Sequence, residues 1–147
     1  MIRGFVGQFF FLNNSYITSV IFEDIRYSSS EAAYQAQKCV DIKDKYAIAK
    51  MSPSEAREYV DTVQILDNWD SLKDSIMFDV CYAKFVQNPM LMEKLILTGD
   101  RELINYNMYG DTYWGVSENK GQNKLGTILK EIREYGYHPT EETAYFC

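Results

Sequence analysis

The apolar positions of this chain change their period several times, and each change predicts an element. The opening MIRGFVGQFFFL is almost continuously apolar and runs into Asn13 and Asn14, which predicts a strand and a loop. One Arg before an apolar run also fits a secretion signal, but no small-residue cleavage site follows, so the strand is preferred. YITSVIFEDIRYSS alternates and breaks at Glu23 and Asp24, the pattern of a β-hairpin over about residues 16–27. A first helix follows with Ser28 or Ser29 as its N-cap. In MSPSEAREYV, Ser52, Pro53 and Glu55 predict a second helix start with a capping box. DSLKDSIMFDVCYAKFVQNP predicts a third helix through Leu72, Ile76, Met77, Val80, Ala83 and Lys84, with Trp69 as a packing anchor just ahead of it. Asn88 then caps PMLMEKLILTG, which Gly99 ends. LINYNMYGDTYWG reads as a strand and an irregular loop. NKLGTILKEIREYG carries a stripe of Leu125, Ile128, Leu129 and Ile132, with Gly136 as the stop. Residues 137–147 show no periodicity and read as a tail. The order predicts an α+β protein: a single, mainly helical domain over residues 1–147 with a few short strands.

The first helix breaks the usual rule. In SSSEAAYQAQK, Glu31, Tyr34, Gln35 and Lys38 occupy the three, four and seven spacing that normally buries an apolar stripe. The opposite face offers Ala32, Ala33, Ala36, Gln37 and Val40, and alanine contributes little buried area. Each polar residue has an ordinary explanation. Glu31 can close a capping box with Ser28, Lys38 can be a solvated charge, and Tyr34 and Gln35 a half-exposed face. The alternative is a helix that lines a pocket with its polar stripe.

Bulk properties narrow the functional classes. The 147 residues are 46% hydrophobic and 24% charged, a composition that folds rather than stays disordered. A net charge of −6 without a basic run argues against gripping a long duplex through its phosphates, while leaving room for one nucleotide or sugar phosphate in a pocket. The three cysteines, Cys39, Cys81 and Cys147, are far apart, and His138 is the one histidine. That spacing suits neither a zinc site nor a disulfide framework. Cys39 and Cys81 fall in predicted helices, as core residues in a reducing cytoplasm would. No stretch reaches membrane-spanning length, so no membrane partner is expected.

A second polar cluster is GDTYWG at 110–115, followed by KGQNKLG at 120–126. Glycine turns here lead into a helix with Asn123 as its N-cap, and such a start offers free N–H groups to an anion. Asp111 fits either a loop-organising Asx-turn or a ligand contact, and Trp114 either the core or a stacking surface. Lys84 and Asn88, in AKFVQNP, are read either as helix-end residues or as ligand contacts. Neither GxGxxG nor GxxxxGK[ST] occurs.

Taken together these pieces resemble one family. Phe11-Leu12-Asn13-Asn14-Ser15-Tyr16 resembles the FLSNFY opening of the NADAR superfamily, the YbiA-like proteins. Residues 27–38 resemble its Y-x-[ST]-x-E-H-x-[YF]-Q-x-x-K signature. Lys84-Phe85 with Gln87-Asn88 resembles KF-x-QN, and Leu95 with Thr98-Gly99 resembles L-x-x-TG. Asp111-x-x-Trp114-Gly115, then Gly121-x-Asn123-x-Leu125-Gly126 with Leu129 and Arg133, resembles the family's ending. The elements run in family order over about residues 10–134. Departures are Asn13 and Ser15 in the opening, Ala32 where a His is usual, Asn105 near a usual acid and Ser117 for a common Gly.

The resemblance implies an N-glycosidase that needs no metal or cofactor and cuts a ribose C1–N bond. The substrates it implies are a phosphoribosylamino-pyrimidine of riboflavin synthesis, or ADP-ribose on guanine, including a single modified nucleotide in nucleic acid. It implies Glu31, Lys38 and Asp111 as catalytic residues. Asn14, Tyr34, Gln35, Lys84, Asn88, Trp114, Gly115, Gly121, Asn123 and Gly126 are the substrate-binding candidates. Glu31 would protonate the departing nitrogen, and a neutral Lys38 amine would attack a ring-opened sugar to form a Schiff base. Asp111 would hold ribose hydroxyls, Trp114 would stack on a base and the Gly121–Gly126 turn would receive a phosphate. The Ala32 departure keeps open a non-catalytic reader of ADP-ribose or NAD, or a domain kept for protein contacts.

Overall fold

The computed structural model describes residues 1–137. The expected tail beyond Tyr137, with His138 and Cys147, lies outside the described residues. In chain order the elements are β1 (Ile2–Arg3), a 3-10 helix (Gly7–Leu12), β2 (Ile17–Phe22), β3 (Ile25–Ser29) and α1 (Ser30–Ala36). Then come α2 (Ile42–Ile48), α3 (Pro53–Val60), α4 (Trp69–Gln87), α5 (Pro89–Leu97), β4 (Leu103–Ile104) and α6 (Lys124–Tyr137). Helices dominate and the strands are short, which is the α+β class the pattern predicts. Residues 14–87 pack as one compact unit, and residues 1–13 with 88–137 as a second.

In the first unit β2 and β3 form the expected antiparallel hairpin, pairing Val20 with Tyr27 and Phe22 with Ile25. Its tip residues Glu23 and Asp24 have φ of +48° and +68°, the left-handed pair that matches a two-residue turn to strand twist. Val20, Ile25 and Tyr27 turn inward and are buried. On the other edge of β2, the Gln87 amide donates to the Ile21 carbonyl and accepts from its N–H, both at 2.7 Å. One side chain thus covers an edge that a further strand would otherwise fill.

Three helix boundaries follow local chemistry. Ser29 caps α1 by accepting the Ala32 N–H at 3.0 Å, while Ser28 donates to the Met51 carbonyl instead. The capping box considered for Glu31 and Ser28 therefore does not form. α1 ends at Ala36, and bonds from Lys38 to Gln35 and from Cys39 to Ala36 tighten the exit. Cys39, expected in a helix, instead lies beyond it and bridges to Ile65. α3 starts as predicted, with the Ser52–Glu55 capping box and Pro53 in the first turn. Trp69 is the first residue of α4 rather than a residue ahead of it, and it is buried. α2 is not predicted by the pattern. IKDKYAI has too few apolar positions to show a period, and its one signal is Asp41, which accepts the Lys43 N–H as N-cap.

In the second unit β1 pairs in parallel with β4, Ile2 opposite Leu103. The loop expected after the first strand is partly a 3-10 helix that buries Phe11 and Leu12. α5 follows Asn88 and opens with Pro89, and Gly99 closes it with φ of +70°, as expected. Leu125, Ile128, Leu129 and Ile132 of α6 are buried as their spacing predicts. Gly136 does not stop α6, which continues to Tyr137. A Cβ at Gly136 would approach the Ile96 side chain to 2.9 Å, so this glycine lets α5 and α6 pack. Arg133 is buried and donates to the Thr98 hydroxyl and the Arg101 carbonyl, each at 2.9 Å. It ties α6 to the end of α5.

Candidate functional site

The polar stripe of α1 is not a surface. Tyr34 and Gln35 are buried, as are Ala32, Ala33 and Ala36 of the other face; Lys38 is half-buried, and the Glu31 side chain retains 13% of its exposure. A carboxylate that deep needs partners. Gln35, one turn on, donates its amide N–H to Glu31 Oε1 at 2.8 Å. Arg57 of α3 brings Nη1 to 3.5 Å from the same oxygen. Sequence spacing singles out Gln35 but gives no sign of Arg57, because the contact joins two helices far apart in the chain.

Lys38 lies just past the helix. Its ammonium nitrogen is 5.7 Å from the Tyr34 ring centroid and 5.8 Å from that of Trp69. The two rings meet edge to face, with centroids 5.3 Å apart. Tyr34, a substrate-contact candidate, is thus buried as half of an aromatic seat for Lys38. Burial holds the Lys38 amine below the ordinary lysine range, with Glu31 and Asp61 opposing that effect and Lys73 reinforcing it. Desolvation wins over the carboxylates. A neutral amine, the form able to attack carbon, is correspondingly easier to reach.

Lys84 goes further. It is fully buried on α4, 5.1 Å from the Phe85 ring centroid and 5.7 Å from that of Tyr16, and desolvation takes its amine down to about 8. Near it Asn14 is occupied by the fold. Its Oδ1 accepts from the Ser30 hydroxyl at 2.8 Å and the Cys81 thiol at 3.5 Å, and its Nδ2 donates to the Met77 sulfur at 3.3 Å. Its carbonyl accepts the Glu31 N–H, so Asn14 fixes the start of α1. Burial pushes the Cys81 thiol up to about 12, which leaves it protonated and unreactive.

The Asp/Trp loop and its glycines behave differently. Asp111 Oδ1 accepts the Tyr113 N–H at 3.1 Å and the Trp114 N–H at 3.0 Å, which is the Asx-turn reading. Asn107 clasps Asp111 from both sides, accepting its N–H at 3.0 Å and donating to its carbonyl at 2.9 Å. Trp114 is half-buried, with its ring edge-on to Tyr113.

The anion cradle expected at the start of α6 is already filled. The N–H groups of Gln122, Asn123, Lys124 and Leu125 donate to the carbonyls of Thr112, Gly115, Tyr113 and Trp114. The loop supplies the negative ends of dipoles that a phosphate would have supplied. Asn123 takes the cap position with φ of +51°, and its carbonyl accepts the Thr127 N–H. Its side chain does not cap. It accepts the Asn105 N–H and donates to the Leu103 carbonyl, both at 2.9 Å, pinning β4 to α6.

The glycines serve the same packing. A Cβ on Gly126 would strike the Leu103 carbonyl oxygen, one on Gly115 the Asn105 carbonyl oxygen, and one on Gly121 the Gly115 carbonyl oxygen. Asn88 begins α5, its carbonyl accepting from Leu91 at 2.9 Å and Met92 at 3.1 Å. Asn105, an expected departure, uses its side chain to hold the Trp114 carbonyl. Among the described residues no group of three or more His, Cys, Asp or Glu could hold a metal ion, and no helix is long and apolar enough to cross a membrane.

Comparison with known proteins points to one family. A family model described as the NADAR domain matches residues 3–135. An N-glycosidase of Nostoc punctiforme is 37% identical over 119 residues, covering 76% of each chain. A riboflavin biosynthesis protein of Vibrio vulnificus is 32% identical over 130 residues, covering 84% of this chain, which spans only 35% of that protein. The NMR structure of the Escherichia coli protein YbiA superposes with a TM-score of 0.79 at 28% identity, covering 90% of this chain and 81% of that one.

Proposed function

The chain belongs to the NADAR family, and from that premise we infer that it is an N-glycosidase, a hydrolase of the bond between a ribose C1 and a base nitrogen. The observation that carries this reading within the chain is the carboxylate in the first turn of α1 and the amine just past its last. Lys38 is desolvated enough to lower its affinity for a proton, and Glu31 shares its surroundings. The substrate class is a base joined to ribose through an amino nitrogen. That chemistry is shared by a phosphoribosylamino-pyrimidine and by ADP-ribose on the exocyclic amine of guanine. Support for the first comes from the Vibrio relative's name and from the acidic net charge, which suits small metabolites better than polymers.

The chemistry proceeds in two balanced halves. The ribosylamine ring opens to expose an imine at C1, and the neutral Lys38 amine adds there. The C1–N bond to the base breaks as Glu31 supplies the proton that the departing amine needs. The product of this half is a lysine imine plus free base. Water then adds to the protonated imine carbon and gives a proton back to Glu31; the carbinolamine collapses, its hydroxyl proton passing to the departing lysine nitrogen, and the sugar leaves as an aldehyde that can close again. The net change is one water added across the C1–N bond. Gln35 adds a recognition element: with its N–H committed to Glu31, its Oε1 is buried without a hydrogen-bond partner and would accept a donor from the substrate.

Incubation with a phosphoribosylamino-pyrimidine and, separately, with DNA bearing ADP-ribosylated guanine reads the outcome by chromatography of free base. Release from one arm identifies the substrate. Binding of ADP-ribose without release in either arm would make the protein a reader. Borohydride added during turnover should trap the sugar on Lys38, located by peptide mass. An active, borohydride-treated enzyme with an unmodified Lys38 would remove the Schiff-base step.

A further inference from the structure

We propose that Arg57 is a positioning residue for Glu31, acting with Gln35 to hold one carboxylate oxygen, Oε1, so that Oε2 is the oxygen that reacts. This rests on the glycosidase reading for its chemistry and on geometry alone for the clamp. Two donors from different helices converge on Oε1: the Gln35 amide at 2.8 Å from within α1, and the Arg57 guanidinium at 3.5 Å from α3. Among the described residues, both side-chain nitrogen donors to this carboxylate meet Oε1 rather than Oε2. A carboxylate with one oxygen held by two donors cannot rotate without losing both, so its second oxygen has a defined direction.

The state of Gln35 shows that the fold favours this arrangement. Rotating that amide by half a turn would aim its oxygen at the carboxylate, so the contact with Glu31 fixes its sense. The cost is a buried acceptor, Gln35 Oε1, with no partner. Native structures carry few such atoms, and they concentrate where a site is waiting for its ligand. Arg57 itself is half exposed, at 49% for its side chain, whereas Glu31 is not. A half-exposed guanidinium on a buried carboxylate gives a modest but measurable coupling, smaller than that of a fully buried pair because solvent screens it. Its value lies in orientation.

The positioning role makes a specific kinetic claim. Glu31 Oε2 delivers the proton to the departing nitrogen, and Arg57 touches neither nitrogen nor sugar. Replacing Arg57→Met should therefore lower kcat by roughly tenfold or more with KM within about twofold. Arg57→Lys, which keeps a cation in reach of Oε1, should recover most of the rate. In a Glu31→Gln background the Arg57→Met change should cost nothing further, since the group it positions is already disabled. An equal loss in that background, or a rise in KM with kcat unchanged, would overturn the proposal and make Arg57 a substrate contact.

Thermal unfolding of the same four proteins reads the clamp without any substrate. Wild type, Arg57→Met, Glu31→Gln and the double variant should give Tm shifts that fall short of additive. Strictly additive shifts would show that the two side chains do not interact and would also overturn the proposal. If wild type releases no base from any ribosylamine while the Tm shifts remain non-additive, the clamp stands and the glycosidase reading falls.

Discussion

The α1 stripe and the 110–126 loop are the two densest clusters of polar and glycine signals in this chain, and they spend their polar groups in opposite ways. Around α1 the side chains face one another: Gln35 and Arg57 on Glu31, and Lys38 over the Tyr34 and Trp69 rings. The result is a half-buried amine whose affinity for a proton is lowered by desolvation against the opposing pull of Glu31, the arrangement the proposed chemistry requires. In the loop the polar groups face the backbone. Asp111, Asn105, Asn107 and Asn123 each bond main-chain atoms, and four amides at the start of α6 bond four loop carbonyls. A segment with that little regular structure must satisfy its inward-facing backbone groups itself, and these residues do it. A recurring polar signature can thus mark either a reaction or a scaffold, and only hydrogen-bond partners tell them apart.

The largest break in this comparison comes from Lys38. Lys38→Ala should reduce base release by at least ~1000-fold, and Lys38→Arg should not rescue it, because a guanidinium keeps charge but is no nucleophile. Steady-state kinetics on the released base checks both, and appreciable activity in either variant would return α1 to a scaffolding role.

Next is Gly126→Ala, which places a methyl against the Leu103 carbonyl and the Asn123 side chain. It should cost about 3 kcal/mol of stability in urea unfolding, the range of severe overpacking. A small loss would mean that the start of α6 and β4 are not closely packed.

Lys84 contributes a pH dependence of similar size. Its folded-state amine titrates at about 8 against 10.5 for the ordinary value, so between those limits the unfolded chain binds more protons than the native one. Stability should therefore rise with pH from about 8 to 10.5, by roughly 3 kcal/mol from this group. Cys81 and Tyr27, each raised to about 12 chiefly by burial, act in the opposite sense above pH 9 and 10 respectively. The difference between wild type and Lys84→Met isolates the lysine, and parallel stability curves for the two would refute its depressed titration.

The smallest effect is the sharpest test of the loop. Asp111→Ala should lose the Asx-turn acceptor, about 1 kcal/mol, whereas Asp111→Asn keeps that acceptor and should preserve both Tm and kcat within about twofold. A large fall in kcat for Asp111→Asn with Tm unchanged would restore Asp111 to the chemistry.

What could be read in advance divides along the range of the interaction. The Ser52–Glu55 capping box, the hairpin turn at Glu23 and Asp24, the glycine end of α5 and the apolar stripe of α6 were legible because each is decided within a few residues. The short α2 escaped notice because seven residues with one N-cap carry too little pattern, and its stability comes from packing rather than propensity. The stop placed at Gly136 failed because that glycine answers to Ile96 on another helix, not to its own.

By itself the amino-acid order determined the α+β class, most helix boundaries and the set of residue types from which a site could be made. Tertiary structure alone decided which of them lie together and which are spent on the backbone. Whether a lysine loses its proton depends on how much water the surrounding rings exclude. Whether a helix start binds an anion depends on whether another segment's carbonyls reach it first. Both are properties of neighbours brought together by folding, and no spacing along the chain encodes them.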